Sequence, residues 1–169
     1  MKKLSTVLIA IAIIFNVSAQ QTPPPPGKTQ SPTVPAFHIL KTDSSAYYTN
    51  SDLKKNHETM IMYFSPECDH CKHQTKDLIE DMDKFKNIEI VMASYFPLSE
   101  MKEFYKNYQI AKYPNIKMGR DEKYAIPPHY NMHSFPFIAL YDKKGNLITT
   151  FEGNQKVDTL LNAFKKVKG

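Results

Sequence analysis

The sequence predicts an α/β fold with a central mixed β-sheet flanked by helices on both faces. Three stretches predict it. The apolar, aromatic-rich run Met60-Ile61-Met62-Tyr63-Phe64 reads as a buried strand and leads into an amphipathic helix. The run Ile88-Glu89-Ile90-Val91-Met92-Ala93 reads as a second strand, buried on both faces as in a parallel sheet. Two further strands, joined by a turn and followed by a helix, close the chain.

The elements follow in order. Phe37 to Leu40 is the first candidate strand, with a polar turn around Asp43-Ser44-Ser45 after it. Asp52-Leu53-Lys54-Lys55 reads as a short helical segment. The central strand lies near 59–64 and breaks at Ser65-Pro66. A helix near 69–85 carries Cys71, Thr75, Leu78, Met82 and Phe85 on one face, at spacings of four and three. After the strand 88–93, a helix from Ser99 to Tyr108 sets Met101, Phe104, Tyr105 and Tyr108 on one side. Asn115 to Met118 is a short extended piece, and a loop interrupted by Pro127-Pro128 covers Asp121 to Met132. Phe137–Tyr141 and Leu147–Phe151 are strands joined through Asp142-Lys143-Lys144-Gly145-Asn146, a hairpin turn. Gly153 ends the second of them, and a final helix presents Val157, Leu160, Leu161, Phe164 and Val167 on one face.

Cys68 and Cys71 are the chain's two cysteines, so cysteine chemistry within one molecule belongs to this pair. They stand two residues apart where the strand ends and the helix begins. A helix N-terminus offers free N–H groups and a partial positive charge, which stabilise a thiolate. Only the thiolate attacks a disulfide. Cys68, at the helix mouth, is placed to attack, and Cys71, one turn in on the apolar face, is placed to resolve a mixed disulfide. A loop this short removes little chain entropy on closure, so the pair reads as a reversible redox couple rather than a staple.

The first 19 residues read as a signal peptide. Lys2 and Lys3 are basic, Leu4 to Phe15 is mostly apolar, and Val17-Ser18-Ala19 is a small-residue cleavage site before Gln20. The apolar run is too short to span a membrane comfortably, so no stable span is expected after cleavage. No cysteine lies near the cleavage site to carry a bacterial lipoprotein anchor. Export, to the periplasm or an equivalent space, implies an oxidising compartment where a lone cysteine pair persists as a disulfide. Residues 20–36, with Pro23-Pro24-Pro25-Pro26, Gly27, Pro32 and Pro35, read as an extended proline-rich linker. Residues 37–169 remain for one domain with a core of its own.

Charge excludes some partners. Removing Lys2 and Lys3 with the leader leaves 20 basic residues against 17 acidic, a small excess. Lys165, Lys166 and Lys168 sit where they complement a helix C-terminus. No basic face interleaved with aromatics appears, so no nucleic-acid partner is expected.

Over residues 37–169 the chain resembles the thioredoxin superfamily. The resemblance is carried by Tyr63-Phe64-Ser65-Pro66-Glu67-Cys68-Asp69-His70-Cys71, by Ser134-Phe135-Pro136-Phe137 opening a later strand, and by Gly153 before the last helix. The exported, single-domain form is similar to the TlpA/ResA-like thiol–disulfide oxidoreductases of bacterial envelopes. The resemblance implies a thioredoxin-like fold, catalysis by Cys68 and Cys71 without a cofactor, and a cis peptide bond before Pro136 that turns the backbone of Phe135 toward a substrate strand. It implies a monomer whose partners are thiol- or disulfide-bearing envelope proteins and a redox partner that restores the pair. Three positions depart from the pattern. Met62 stands where thioredoxin has a buried acid, Glu67 replaces the aromatic before the first cysteine, and Gln74 stands where several cytochrome-maturation members carry an acid.

Between the cysteines, His70 resembles the histidine of the oxidising members. An imidazolium near Cys68 favours the thiolate and makes the disulfide more oxidising. Asp69 opposes it, because a carboxylate repels the thiolate. A second function class stays open: Cys68, His70, Cys71 and His73, with His129, Met132 and His133 ahead of Pro136, are soft ligands that suit copper(I) or zinc, so metal delivery is the alternative to redox catalysis. Haem attachment is excluded, because Lys72 follows the second cysteine where a histidine is needed. Tyr105, Tyr108, Tyr113, Tyr124 and Tyr130 read as core and shell packing with polar tips.

Overall fold

The computed structural model describes residues 32–166, so the leader 1–19, most of the linker and Val167 lie outside the described residues. The elements are β1 (His38–Lys41), β2 (Tyr47–Thr49), β3 (Glu58–Tyr63), α1 (Asp69–Glu80), α2 (Met82–Phe85), β4 (Ile88–Ser94), α3 (Leu98–Asn107), β5 (Ile116–Arg120), β6 (Phe137–Tyr141), β7 (Leu147–Glu152) and α4 (Val157–Lys165). Single 3-10 turns occur at Asn50–Asp52, Ile110–Lys112 and Pro127–His129.

One mixed sheet of seven strands runs in the order β2-β1-β5-β4-β3-β6-β7. β3, β4 and β5 are parallel, and the pairs β1–β2, β1–β5, β3–β6 and β6–β7 are antiparallel. The continuous apolar runs of β3 and β4 are buried throughout because both are central strands. Alternation along them divides the core. Met60, Met62, Ile90 and Met92 face one cluster, and Ile61, Tyr63, Val91 and Ala93 the other.

The helical cover takes a particular form. All four α-helices feed the first cluster, through Cys71, Leu78, Met82, Phe85, Met101, Phe104, Val157, Leu160 and Phe164. Connections β3-α1-β4 and β4-α3-β5 step the same way across the sheet, so right-handed crossovers bring both helices to one face. The second face is covered by extended segments and the 3-10 turn at Pro127–His129, through Phe37, Ile126 and Tyr130.

Several local expectations are corrected. The helix expected over 69–85 breaks at Asp81 (φ −107°, ψ 18°), although Met82 and Phe85 still reach the core. The helical segment expected at 52–55 is instead the 3-10 turn at Asn50–Asp52, where Thr49 N–H donates to Asp52 Oδ2 at 2.8 Å and Ser51 N–H to Thr49 Oγ1 at 3.3 Å. The polar turn at Asp43-Ser44-Ser45 joins β1 to β2, a strand too short to show a period. The extended piece at 115–118 is β5, which runs to Arg120 and pairs with β1. Gly119 sits at that pairing, and a Cβ there would lie 2.7 Å from the Leu40 carbonyl oxygen.

The last residues of the proline-rich stretch, 32–36, lie along the β6–β7 hairpin. Leu147 N–H donates to Pro32 O at 2.8 Å, and Val34 N–H to Gly145 O at 3.0 Å.

Candidate active site

The site forms where β3 ends and α1 begins. β3 delivers the chain to the buried pair Ser65-Pro66, and Cys68 N–H closes a turn on Ser65 O at 3.2 Å. Cys68 is the N-cap of α1, with extended dihedrals (φ −74°, ψ 122°), and its carbonyl accepts the helix's first hydrogen bond from Lys72 N–H at 3.0 Å. Cys68 is therefore held at the helix mouth, partly buried against the first cluster. Cys71, one turn on, is fully buried with Leu78 and Phe64 in the first cluster. Both are free thiols in the structure. Burial pushes the Cys71 thiol far above its ordinary value, and its interactions with Cys68 add to the rise against a backbone hydrogen bond at Ser65. Inequality within the pair thus comes from placement: Cys68 is partly buried at the helix mouth and Cys71 is fully buried.

Opposite Cys68 stands the segment 133–136. The Phe135–Pro136 bond is cis. The Cys68 thiol donates to the Phe135 carbonyl, with sulfur and oxygen 3.9 Å apart. Pro136 is buried, and its carbonyl accepts from Gly153 N–H at 2.9 Å. A clamp invisible in the sequence holds the near side of this segment. Glu152, at the end of β7, accepts from His133 N–H at 3.2 Å and from Ser134 Oγ at 3.0 Å, and its Oε1 lies 3.2 Å from His133 Nδ1. Partial burial raises the Glu152 carboxyl, but the bonds from His133 and Ser134 outweigh that and hold it below its ordinary value. The β6–β7 register that sets Phe137 beside Glu152 brings these partners together.

Asp69 and His70 are exposed, and Lys72 Nζ lies 3.9 Å from Asp69 Oδ1 and 3.5 Å from Glu67 Oε2, offsetting both acids. Met62 is fully buried in apolar surroundings. Gln74, also fully buried, ties α1 to the segment before α4: Gln155 N–H donates to Gln74 Oε1 at 2.6 Å, and Gln74 Nε2 to Gln155 O at 3.2 Å. Among the described residues no three His, Cys, Asp or Glu side chains are placed to hold a metal ion. The histidines that suggested copper are thus not gathered with the cysteines into one such set.

Sequence reasoning also missed the surroundings of Phe135. Tyr63, Tyr95, Phe96, Tyr124 and Phe135 form a chain of ring contacts. Tyr124 is half-exposed rather than a packing residue, whereas Tyr105, Tyr108 and Tyr113 pack against the first cluster and Tyr130 is buried with its hydroxyl against that of Tyr141.

A thioredoxin-like domain model matches residues 50–168. No curated protein matches the chain significantly. Among solved structures, it is similar to a thiol:disulfide interchange protein of the thioredoxin family from Chlorobium tepidum (17% identity, TM-score 0.66, covering 85% of this chain and 100% of that one). It is similar to a secreted Mycobacterium tuberculosis disulfide oxidoreductase (17%, TM-score 0.63, covering 77% and 95%). A third is the exposed lipoprotein thioredoxin of Streptococcus pneumoniae (21%, TM-score 0.63, covering 78% and 98%). At these identities the likenesses establish the fold. With the domain match spanning most of its length, the chain belongs to the thioredoxin-like family.

Proposed function

We propose that this protein is an exported thiol–disulfide oxidoreductase that exchanges disulfides with envelope proteins through Cys68 and Cys71. One observation carries the reading: Cys68 is only partly buried at the mouth of α1, facing the Phe135 carbonyl, while Cys71 is sealed in the core one turn away. In the reducing direction the Cys68 thiolate attacks one sulfur of a substrate disulfide. A Cys68–substrate disulfide forms, the substrate S–S bond breaks, and the other substrate sulfur leaves as a thiolate that takes a proton. Cys71 then gives up its proton and attacks Cys68 Sγ, releasing the second substrate thiol. Two electrons pass to the substrate, and the protein is left with its own disulfide. A separate dithiol must restore the pair, and the reverse sequence oxidises a substrate.

The exported setting rests on the tripartite leader 1–19 and agrees with the secreted and surface-exposed character of two of the similar structures. Among the described residues no helix is long and apolar enough to cross a membrane. Equilibrating the protein in glutathione redox buffers tests the reading. A single two-electron transition between dithiol and disulfide, lost in Cys68→Ser and Cys71→Ser, is expected. No interconversion across the physiological range would sink it.

A further inference from the structure

Phe135 is one edge of an aromatic surface. Its ring lies 6.4 Å from Phe96, Phe96 lies 4.5 Å from Tyr95, and Tyr95 lies 5.4 Å from Tyr124 in an edge-on contact. Beneath them the fully buried Tyr63 meets Phe135, Tyr95 and Tyr124 at 6.2 to 6.4 Å. Exposed aromatic residues scattered singly need no explanation. Here two of the three exposed large apolar side chains among the described residues, Tyr95 at 41% and Tyr124 at 51%, touch each other and connect through Phe96 to Phe135.

Fold stability does not account for the tyrosine at 124. Its backbone is left-handed, at φ 53°, where a glycine or asparagine is accommodated with less strain. Its ring recovers little burial in exchange. The loop that holds it is nevertheless firmly fixed. Asp121, almost fully buried, accepts from Ala125 N–H at 2.9 Å, from Ile126 N–H at 3.0 Å and from Tyr63 Oη at 3.3 Å. A fixed loop holding an exposed ring at a strained residue is an arrangement that points to function rather than packing.

We propose that Tyr95, Phe96, Tyr124 and Phe135 form a shelf that seats an aromatic or large aliphatic side chain next to the reacting cysteine of an extended substrate segment. The proposal deepens the oxidoreductase reading and rests on it. A substrate sulfur must come in line with Cys68 Sγ, and the Phe135 carbonyl is 3.9 Å from that sulfur. The substrate residues that flank it must therefore cross the surface that Phe135 begins. An extended chain advances about 3.3 Å per residue, so a side chain about two to four residues from the cysteine reaches Tyr95 and Tyr124. The shelf offers ring faces with phenol hydroxyls and no charged group among its four members, which favours an apolar or aromatic occupant over a charged one.

The test uses the reduced protein and synthetic glycine/serine peptides, each with one cysteine blocked as a thionitrobenzoate disulfide. Phenylalanine is placed two, three or four residues to either side, against a peptide without it. Attack by Cys68 on the peptide sulfur forms the Cys68–peptide disulfide and releases the coloured thionitrobenzoate. Each variant's rate with the small reagent bis-thionitrobenzoate is its own reference, so a general loss of reactivity cancels. At least one phenylalanine peptide should react roughly tenfold faster than the phenylalanine-free one, the value of one good apolar contact. Tyr95→Ser and Tyr124→Gly should each bring that ratio close to one, and glycine suits the left-handed backbone at 124, so this variant keeps its fold. Equal rates for all peptides with the wild-type protein would overturn the shelf, and so would a preference that survives both substitutions. Concentration-dependent dimerisation lost in both variants would make the surface a self-association face instead. If the wild-type protein releases no thionitrobenzoate from any peptide or from the small reagent, the oxidoreductase reading itself fails.

Discussion

The Cys68 thiol lies 3.9 Å from the Phe135 carbonyl oxygen, across a gap of 67 residues in sequence. Cys68 is partly buried, whereas Cys71, only three residues on, is fully buried. The two sulfurs should therefore behave differently. Iodoacetamide at near-neutral pH should modify Cys68 much faster than Cys71 in the reduced protein. Cys71→Ser should trap covalent complexes with envelope partners on non-reducing gels, and Cys68→Ser few or none. Trapping by Cys68→Ser alone would reverse the assigned roles.

Glu152 should confer an acid-sensitive clamp on the segment that carries Phe135. Its folded-state value lies below the ordinary 4.5, so the stabilisation is present above that value and is lost as the pH falls through the depressed one. Protonated glutamate resembles glutamine. The stability difference between wild type and Glu152→Gln should therefore be largest near neutral pH and vanish in acid, as measured by urea unfolding across pH. A difference that grows in acid would refute the clamp.

Gly119→Ala should destabilise the protein by about 1–3 kcal/mol, because the added methyl meets backbone rather than a flexible side chain. Leu40 O stands 2.7 Å and Ile39 Cγ1 2.9 Å from the new carbon. Relief requires β1 to move away from β5, so hydrogen exchange should quicken at the β1–β5 pairing while β3 and β4 stay protected. An unchanged urea midpoint would show that the strands separate at no cost.

What the sequence revealed and what it hid divide along physical lines. β3, α1 and β4 were legible because burial on both faces and helical periodicity are local patterns, and the cysteine pair was legible because α1 begins at it. β2 was not, since three residues show no period. The break at Asp81 was hidden because Met82 and Phe85 continue the apolar spacing across it. Glu152 and Ser134 meet only through the β6–β7 register, and Tyr124 joins Tyr95 only through the fold. No one-dimensional signal marks either contact.

Gln74 offers a last check on how the cysteine helix is held. Its amide is fully buried and uses both ends: the oxygen accepts from Gln155 N–H and the nitrogen donates to Gln155 O. Gln74→Glu keeps the shape but removes the donor, setting a carboxyl oxygen against the Gln155 carbonyl. A protonated carboxyl can still donate one hydrogen bond, whereas a carboxylate can donate none. Burial and the facing carbonyl both disfavour the charged form, so the introduced carboxyl should titrate above the usual glutamate range. The variant's loss of stability should then be small in mild acid, where the folded protein keeps the group neutral, and grow with pH as ionisation is forced, to about 1–3 kcal/mol. Urea unfolding of both proteins at pH 5 and pH 8 measures it. A loss that is the same at both values would mean that the side chain turns out to solvent and that Gln155 does not depend on it.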